Sequence, residues 1–517
     1  MAEELSGKNN ENEFISRLAD YQSVAPFNIV PALPHRHFFE SDFAGFSNSR
    51  GHIVGIWLAL FNLFEKVFNV ELLVHPRGEL GKEAPEMWLP FTIANQLRTQ
   101  RIISGIERLK VLVDEPKLHR YMAYVERSNA VAHNPDGLGT SFDSESTALL
   151  KALVEAYERY CLVNFIPRNY VDAPFKKMGS NVLPILSLAG ISPEVRKTGH
   201  HRYRLAFDET TIFRWVQGYS LTKQRKIYIP LQLVTFSYNF QEREPVLRLP
   251  ISTGAAAGLT QKEAILRGIL EVVERDAFMI TYLKCITPLR INLDDIATAN
   301  PTLQKVLTSC KRHGLRVDIL HLPTDVPCHV ILAMIQGRSD SPSLSVGAKA
   351  SLDLIGAISG ALNEAVSSRI FLSKTLPTLS LKDIPEIFEI DRIERLERLY
   401  LWATKPELLK TLTFLTQGQI INLSSIKKYN SMDYPSQLSF LLQYFRNEGI
   451  EVDFISNELH NKKVESLFSV KVIIPAFQPL HLIESLPYFW GPRLEKIPTK
   501  FNYVIDESIN KVPHPFP

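Results

Sequence analysis

Ser252–Asp276 reads STGAAAGLTQKEAILRGILEVVERD, and the two halves of that stretch follow different rules. The run Leu249–Gly258 is short, apolar and closed by small residues, which predicts a strand ending in a Gly/Ala turn. From Gln261 the apolar residues recur at three-and-four spacing, so a long helix is expected over Gln261–Cys285. On that helix Glu271 and Glu274 stand one turn apart on a single face, with Arg275 beside them.

The unit is repeated. Ala148–Arg159 (ALLKALVEAYER) carries Glu155, Glu158 and Arg159 in the same pattern, on a helix expected over Ser144–Phe165 after a Gly-containing turn at Asp136–Thr140. Ala357–Arg369 (AISGALNEAVSSR) is a third copy with Glu364 and Arg369, on a helix expected over Leu352–Lys374 after Ser345–Lys349. Small residues four apart in each copy let a neighbouring element approach the helix closely. One E-x-x-E-R would be a solvated ion-pair face; two copies within one longer pattern argue for a site. Glu155, Glu158, Glu271, Glu274 and Glu364, gathered from three helices, would repel one another unless cations neutralise them. Mg²⁺ is the natural cation, because it prefers carboxylate, water and phosphate oxygens. The neighbouring arginines would then face phosphates. An ATP–Mg site built this way has no P-loop, and no G-x-x-x-x-G-K-[ST] occurs in the chain.

Working outward, strands are expected at Tyr121–Glu126, Phe213–Gly218, Lys226–Tyr238, Leu315–His321, Cys328–Ile335 and Ser469–Ile474. Lys223–Lys226 reads as a hairpin turn, and Asp294–Asp295 as the start of a helix or turn. Residues 376–460 read mainly as helix and loop, and the tail from Lys496 shows little periodicity. The whole is an α+β pattern of mixed sheets and helices, with a small mixed N-terminal extension over 1–99, a main domain over 100–500 and a Pro-rich tail over 501–517.

Composition excludes little beyond the extremes. The 517 residues carry 58 basic and 55 acidic side chains, with 45% hydrophobic and 22% charged; such a balance exerts no general pull toward nucleic acid or membrane. Cys161, Cys285, Cys310 and Cys328 are too scattered for a disulfide framework or a four-thiolate zinc site and are expected to be buried and reduced. The longest apolar run, His52–Phe64, is shorter than the ~20 residues of a membrane span and is read as a buried or amphipathic helix. The polar N-terminal stretch lacks a secretory signal, so a cytoplasmic protein is expected. His200–His201, His35 and His37 read as exposed polar residues rather than metal ligands.

These stretches, with Trp215–Leu221 and Val470–His481, resemble the motifs of the YcaO superfamily over roughly residues 100–517. The resemblance implies a YcaO fold around an ATP–Mg²⁺ site. Glu155, Glu158, Glu271, Glu274 and Glu364 would hold metal and phosphates; Arg159 would face the phosphates; Glu263, Arg275 and Arg369 would contact nucleotide or order the site. The chain ends Pro513-His-Pro515-Phe-Pro517, and a terminal P-x-P-x-P in this superfamily marks azoline-forming cyclodehydratases. It implies that Pro513, Pro515 and Pro517 thread toward the catalytic centre, with the Pro517 carboxylate as a base. A stiff polyproline-like segment loses little entropy when placed.

The implied reaction converts Cys, Ser or Thr of a ribosomally made precursor peptide to a thiazoline or (methyl)oxazoline. The side chain attacks the preceding amide carbon, the amide oxygen takes the γ-phosphoryl group of ATP, and phosphate leaves. A separate ubiquitin-activating-enzyme-like partner would bind the leader and deliver the peptide, since the first 100 residues are too few to hold both a leader-binding winged-helix element and a ubiquitin-activating-enzyme-like domain. A flavin-dependent azoline dehydrogenase is an optional third component, and a homodimer within the larger complex is expected. Thioamide or amidine formation, and a non-catalytic docking subunit, are the alternatives. Ala256, Leu259, Gly360 and Ser367 depart from the superfamily's usual residues, Gly360 standing where Arg is common and Leu259 where Asn is.

Overall fold

The computed structural model describes residues 80–110, 116–126, 136–240, 244–337, 342–429, 432–459, 462, 464–503 and 508–516. The expected helix at His52–Phe64, and Pro517, lie outside them. The first region runs α1 (Leu80–Thr99), β1 (Ile103–Arg108), β2 (His119–Val125), β3 (Gly137–Ser141) and α2 (Glu145–Asn164). Next come β4 (Val171–Pro174), α3 (Pro193–Thr198), β5 (Ile212–Ser220), β6 (Arg225–Pro230), β7 (Ala255–Gly258) and α4 (Gln261–Leu283). Then follow β8 (Leu289–Ile291), α5 (Leu293–Ala299), α6 (Pro301–Arg312), β9 (Arg316–Leu322), β10 (His329–Gln336), β11 (Leu344–Ser351) and α7 (Leu354–Thr375). The last part holds α8 (Arg395–Thr404), α9 (Thr413–Thr416), β12 (Ile420–Ile421), α10 (Tyr434–Asn447), β13 (Asp453–Ser456), β14 (Phe468–Ile473) and α11 (Arg493–Lys500).

The strands make three sheets, ordered β1-β2-β3, β11-β10-β9-β8-β12 and β4-β5-β13-β14-β7, with β6 paired to β5. The fold is the α+β arrangement of mixed sheets and helices expected from the sequence. The five-stranded sheet is buried on both faces, which explains why β10 (HVILAMIQ) is apolar almost throughout. Val330, Leu332 and Met334 share a core with α4, while Ile331, Ala333 and Ile335 share one with α7. Alternate side chains of a strand point to opposite faces, so one strand serves both helices. The first sheet packs on α2, and α1 joins the same core through Ile93, Ala94 and Leu97.

The small residues of the repeat now have their partners. A Cβ at Gly139 would fall 1.8 Å from the Ala148 carbonyl oxygen and 2.3 Å from Ala152 N. One at Gly347 would meet Ala365 N at 2.4 Å, and one at Gly268 would meet Val472 Cγ2 at 2.7 Å. Each Glu-bearing helix is thus pressed backbone-close against a strand, and glycine is required at the contact.

Several expectations change. Asp136–Thr140 is not a turn but the strand β3, because its alternate glycines let it lie flat on α2. The strand at Leu249–Gly258 shrinks to β7, since the carbonyls of Ile251 and Thr253 are used by the Lys471 ammonium instead of a ladder. Lys226–Tyr238 stops at Pro230, which has no amide to donate. β13 and α11 were not foreseen. Cys161, Cys310 and Cys328 are buried, but Cys285 is exposed just past the end of α4, in a left-handed conformation at φ 50°. No helix among the described residues is long and apolar enough to cross a membrane.

Candidate functional site

Thr260 caps α4 by accepting from Glu263 N, and the Glu263 side chain reaches back to accept from Leu259 N, the residue before the cap, at 2.9 Å. That cap sets the phase of α4. Two turns further on, Glu271 and Glu274 face the pair Glu155 and Glu158 of α2 and the single Glu364 of α7. Arg159 lies 3.2 Å from Glu155 and 3.9 Å from Glu158. Arg275 lies 3.9 Å from Glu271 and 3.5 Å from Glu274. β11 stitches two of the helices together: Ala348 N donates to Glu364 and Ala350 N to Glu274, each at 2.9 Å. Gly254 N, in the turn before β7, donates to Glu271 at 3.3 Å.

The carboxylates of the three helices feel one another. Burial pushes Glu158 up to about 8, with Glu271 and Glu155 adding to the rise and Arg159 and Lys471 opposing it. Burial pushes Glu274 up to about 7, opposed by Arg275 and Lys349 and reinforced by Glu364 and Glu271. Glu364 is raised by burial as well, against Arg275, the Ala348 amide and Lys349. Like charges this close disfavour ionisation of one another. Nη1 of Arg159 and Nη1 of Arg275 are buried without a hydrogen-bond partner among the described residues. Crowded carboxylates next to guanidinium groups that each keep a nitrogen without a hydrogen bond are a donor set that fits cations and phosphate oxygens together.

Three further cations belong to this neighbourhood and had not been singled out. Lys471 on β14 is buried, lowered to about 8 by that burial while Glu271 and Glu158 hold it up, and it donates to Thr253 O at 2.8 Å. Its stretch, Val470–His481, had been noted as a whole, so a signal existed. Arg395 on α8 is lowered to about 10 by burial beside Arg159 and Arg275; nothing in its local sequence marks it. Lys349 on β11 is the third.

Two other expected residues have partners outside the five glutamates. Glu263 is used at the α4 N-terminus and by Arg267 at 2.6 Å. Arg369 donates to the Pro342 carbonyl at 3.0 Å.

The C-terminal segment is built into the core. The Pro513 carbonyl accepts from Trp402 Nε1 at 2.9 Å and from Tyr282 Oη at 3.0 Å. His514 Nε2 donates to the His481 carbonyl at 3.1 Å. Pro513, His514, Pro515 and Phe516 are all buried. The Phe516 ring lies 4.9 Å from that of Phe278 and carries the Arg275 guanidinium 4.1 Å above its face. The tail therefore ends against the arginine that also pairs with Glu271 and Glu274. His481, Glu484 and His514 place ligand-type atoms within 4.8 Å of one another, but Glu484 is paired to Arg398 at 2.8 Å. That trio reads as a clamp on the tail, with its charge already balanced.

Comparison with known proteins places the chain in a family. The family model for YcaO cyclodehydratase, ATP- and Mg²⁺-binding, matches residues 139–478. An uncharacterised protein encoded in the tfuA 3′ region of Rhizobium leguminosarum bv. trifolii is 26% identical over 277 residues, 52% of this chain and 62% of that protein. The chain thus spans less than two thirds of that relative. A heterocyclase in complex with substrate and cofactor superposes with TM-score 0.67 and 20% identity, over 83% of this chain and 57% of that one. YcaO from Methanopyrus kandleri bound with AMPPCP and Mg²⁺ superposes with TM-score 0.51 and 18% identity, over 75% and 91%. At those identities the two structures speak for the fold, and the family match over more than half of the sequence settles membership. The protein belongs to the YcaO cyclodehydratase family.

Proposed function

We propose that this chain is the catalytic subunit of an ATP-dependent azoline-forming cyclodehydratase. The observation that carries the reading is that Glu155, Glu158, Glu271, Glu274 and Glu364 meet at one place, with Phe516 of the C-terminal tail stacked on Arg275 beside them. The five glutamates would hold Mg²⁺ and, through it, the β- and γ-phosphates; Arg159 and Arg275 would take phosphate oxygens directly. Bound Mg²⁺ supplies charge neutralisation for phosphoryl transfer.

The chain's own residues would do the remainder. Arg275 is shared between carboxylates and tail, so nucleotide and tail are coupled through one side chain. Pro513 is pinned by Trp402 and Tyr282, and Phe516 is held under Arg275. The Pro517 carboxylate would accept the proton of the attacking Cys, Ser or Thr. The new bond joins that side-chain sulfur or oxygen to the amide carbon. The amide oxygen then attacks the γ-phosphorus and ADP leaves; the C–O bond breaks as phosphate departs and the amide nitrogen gives up its proton to form C=N, so the peptide loses one water for each ATP converted to ADP and phosphate.

A separate leader-binding partner would bring the peptide, and the flavin enzyme would act afterwards on the azoline. Incubation with Mg²⁺–ATP, a Cys/Ser/Thr-rich precursor peptide and its partner protein should remove the mass of one water per ring, with fragmentation placing each ring. Glu271→Ala should abolish both mass loss and peptide-stimulated ATP hydrolysis. Wild-type protein that turns over no ATP with peptide and partner present would refute the proposal in favour of a docking role.

A further inference from the structure

The rim of the carboxylate cluster carries a lysine that the three-helix pattern does not account for. Lys349 lies on β11 between Ala348 and Ala350, the residues whose amides donate to Glu364 and Glu274. Those two alanines are buried toward α4, and Lys349, pointing the other way along the strand, is exposed on the α7 side. Its charge acts on both Glu274 and Glu364, opposing the effect of their burial. Among the described residues its ammonium has no ion-pair partner within salt-bridge distance.

Gly360 on α7 makes room for it. A Cβ at 360 would lie 2.7 Å from Lys349 Cγ and 3.1 Å from its Cβ and Cδ. Position 360 is one helical turn before Glu364 and on the same face. A long side chain there and the Lys349 stem are therefore mutually exclusive, and in this chain the cation reaches the site from the strand. Facing it from α2 is Lys151, which gives one donor to the Thr140 carbonyl at 3.1 Å. Lys151 is lowered by burial first, then by Lys349 and Arg267. Two ammonium groups from different elements, whose charges act on one another beside a metal-type carboxylate cluster, are relieved when an anion is held by both.

We propose that Lys349, with Lys151 opposite, clasps a phosphate group of the nucleotide held at the glutamate cluster, Gly360 being the gap through which the strand-borne lysine reaches it. The inference rests on the nucleotide reading above and assigns a contact within it. Titration of the full chain with Mg²⁺–AMPPCP, without peptide, tests it by calorimetry. Lys349→Ala should weaken binding about ten- to a hundredfold, the loss expected of a charge-assisted phosphate contact, while AMP affinity changes little. Gly360→Arg alone should also weaken binding by displacing the Lys349 stem. The double variant Lys349→Gly/Gly360→Arg should recover to within about threefold of wild type, because it restores one cation at the same place. Thermal melting of each variant separates misfolding from lost contact. Unchanged affinity in Lys349→Ala, or a folded double variant as weak as Lys349→Ala, overturns this inference and leaves the nucleotide site standing. Wild-type protein that binds no Mg²⁺–AMPPCP overturns both.

Discussion

Mg²⁺ binding at the cluster should release protons, and the amount follows from the structure. Glu158 sits at about 8 and Glu274 at about 7 in the folded chain, against 4.5 for an ordinary glutamate. At pH 7 the first is then about nine-tenths protonated and the second about half, so converting both to ligands releases about one to two protons per site. Apparent Mg²⁺ affinity should rise about ten- to thirtyfold per pH unit around neutrality and flatten above the pKa values. Stability should run the other way without metal. These raised values mean that the folded state binds more protons than the unfolded one. Their contribution is fully present below the ordinary glutamate value of 4.5 and is lost as pH rises through about 7 to 8. The melting temperature of metal-free protein should therefore fall from pH 6 to pH 9, and Mg²⁺ should restore more of it at pH 9 than at pH 6. Calorimetric titration with Mg²⁺–AMPPCP in buffers of different ionisation enthalpy counts the protons, and Glu158→Gln should reduce the count by close to one. Binding that releases no protons and is flat from pH 6 to 8 would refute the idea that these carboxyls are protonated neighbours waiting for a cation.

Two other consequences concern the tail and the repeat. Phe516→Ala removes a fully buried ring that packs on Phe278 and under Arg275; a loss of about 3–5 kcal/mol of local packing should free the tail, read as faster carboxypeptidase trimming at an unchanged global melting temperature. Gly139→Val places a branched side chain where even a Cβ meets the Ala148 carbonyl oxygen at 1.8 Å; overpacking of this kind costs about 1–3 kcal/mol or more, and a chemical-denaturation midpoint equal to wild type would show that α2 is not pressed on β3 as described.

The three Glu-bearing helices were legible because their information is local. Apolar spacing and carboxylates three apart lie within one or two turns, and the expected Gln261–Cys285 became Gln261–Leu283. Boundaries failed where a distant element competes for the backbone. Ile251 and Thr253 look like strand, yet their carbonyls serve Lys471, some 220 residues away. Gly137 and Gly139 look like a turn, because glycine usually marks one; here they let a strand lie against a helix.

For the site, the sequence by itself determined which carboxylates share a helical face and that a terminal P-x-P-x-P segment follows them, since both are matters of spacing along the chain. Only the tertiary structure decided that Glu158 feels Glu155 and Glu271, that Glu274 feels Glu364, and that burial raises Glu158, Glu274 and Glu364. It also gave Glu263 and Arg369 partners outside the five glutamates, and supplied Lys471, Arg395 and Lys349 as neighbouring cations. Protonation and charge pairing depend on what crosses from other elements into a shared low-dielectric space. No period along one chain encodes that, so Gly360 was visible as a missing side chain while the lysine that fills its place, on a neighbouring strand, was not.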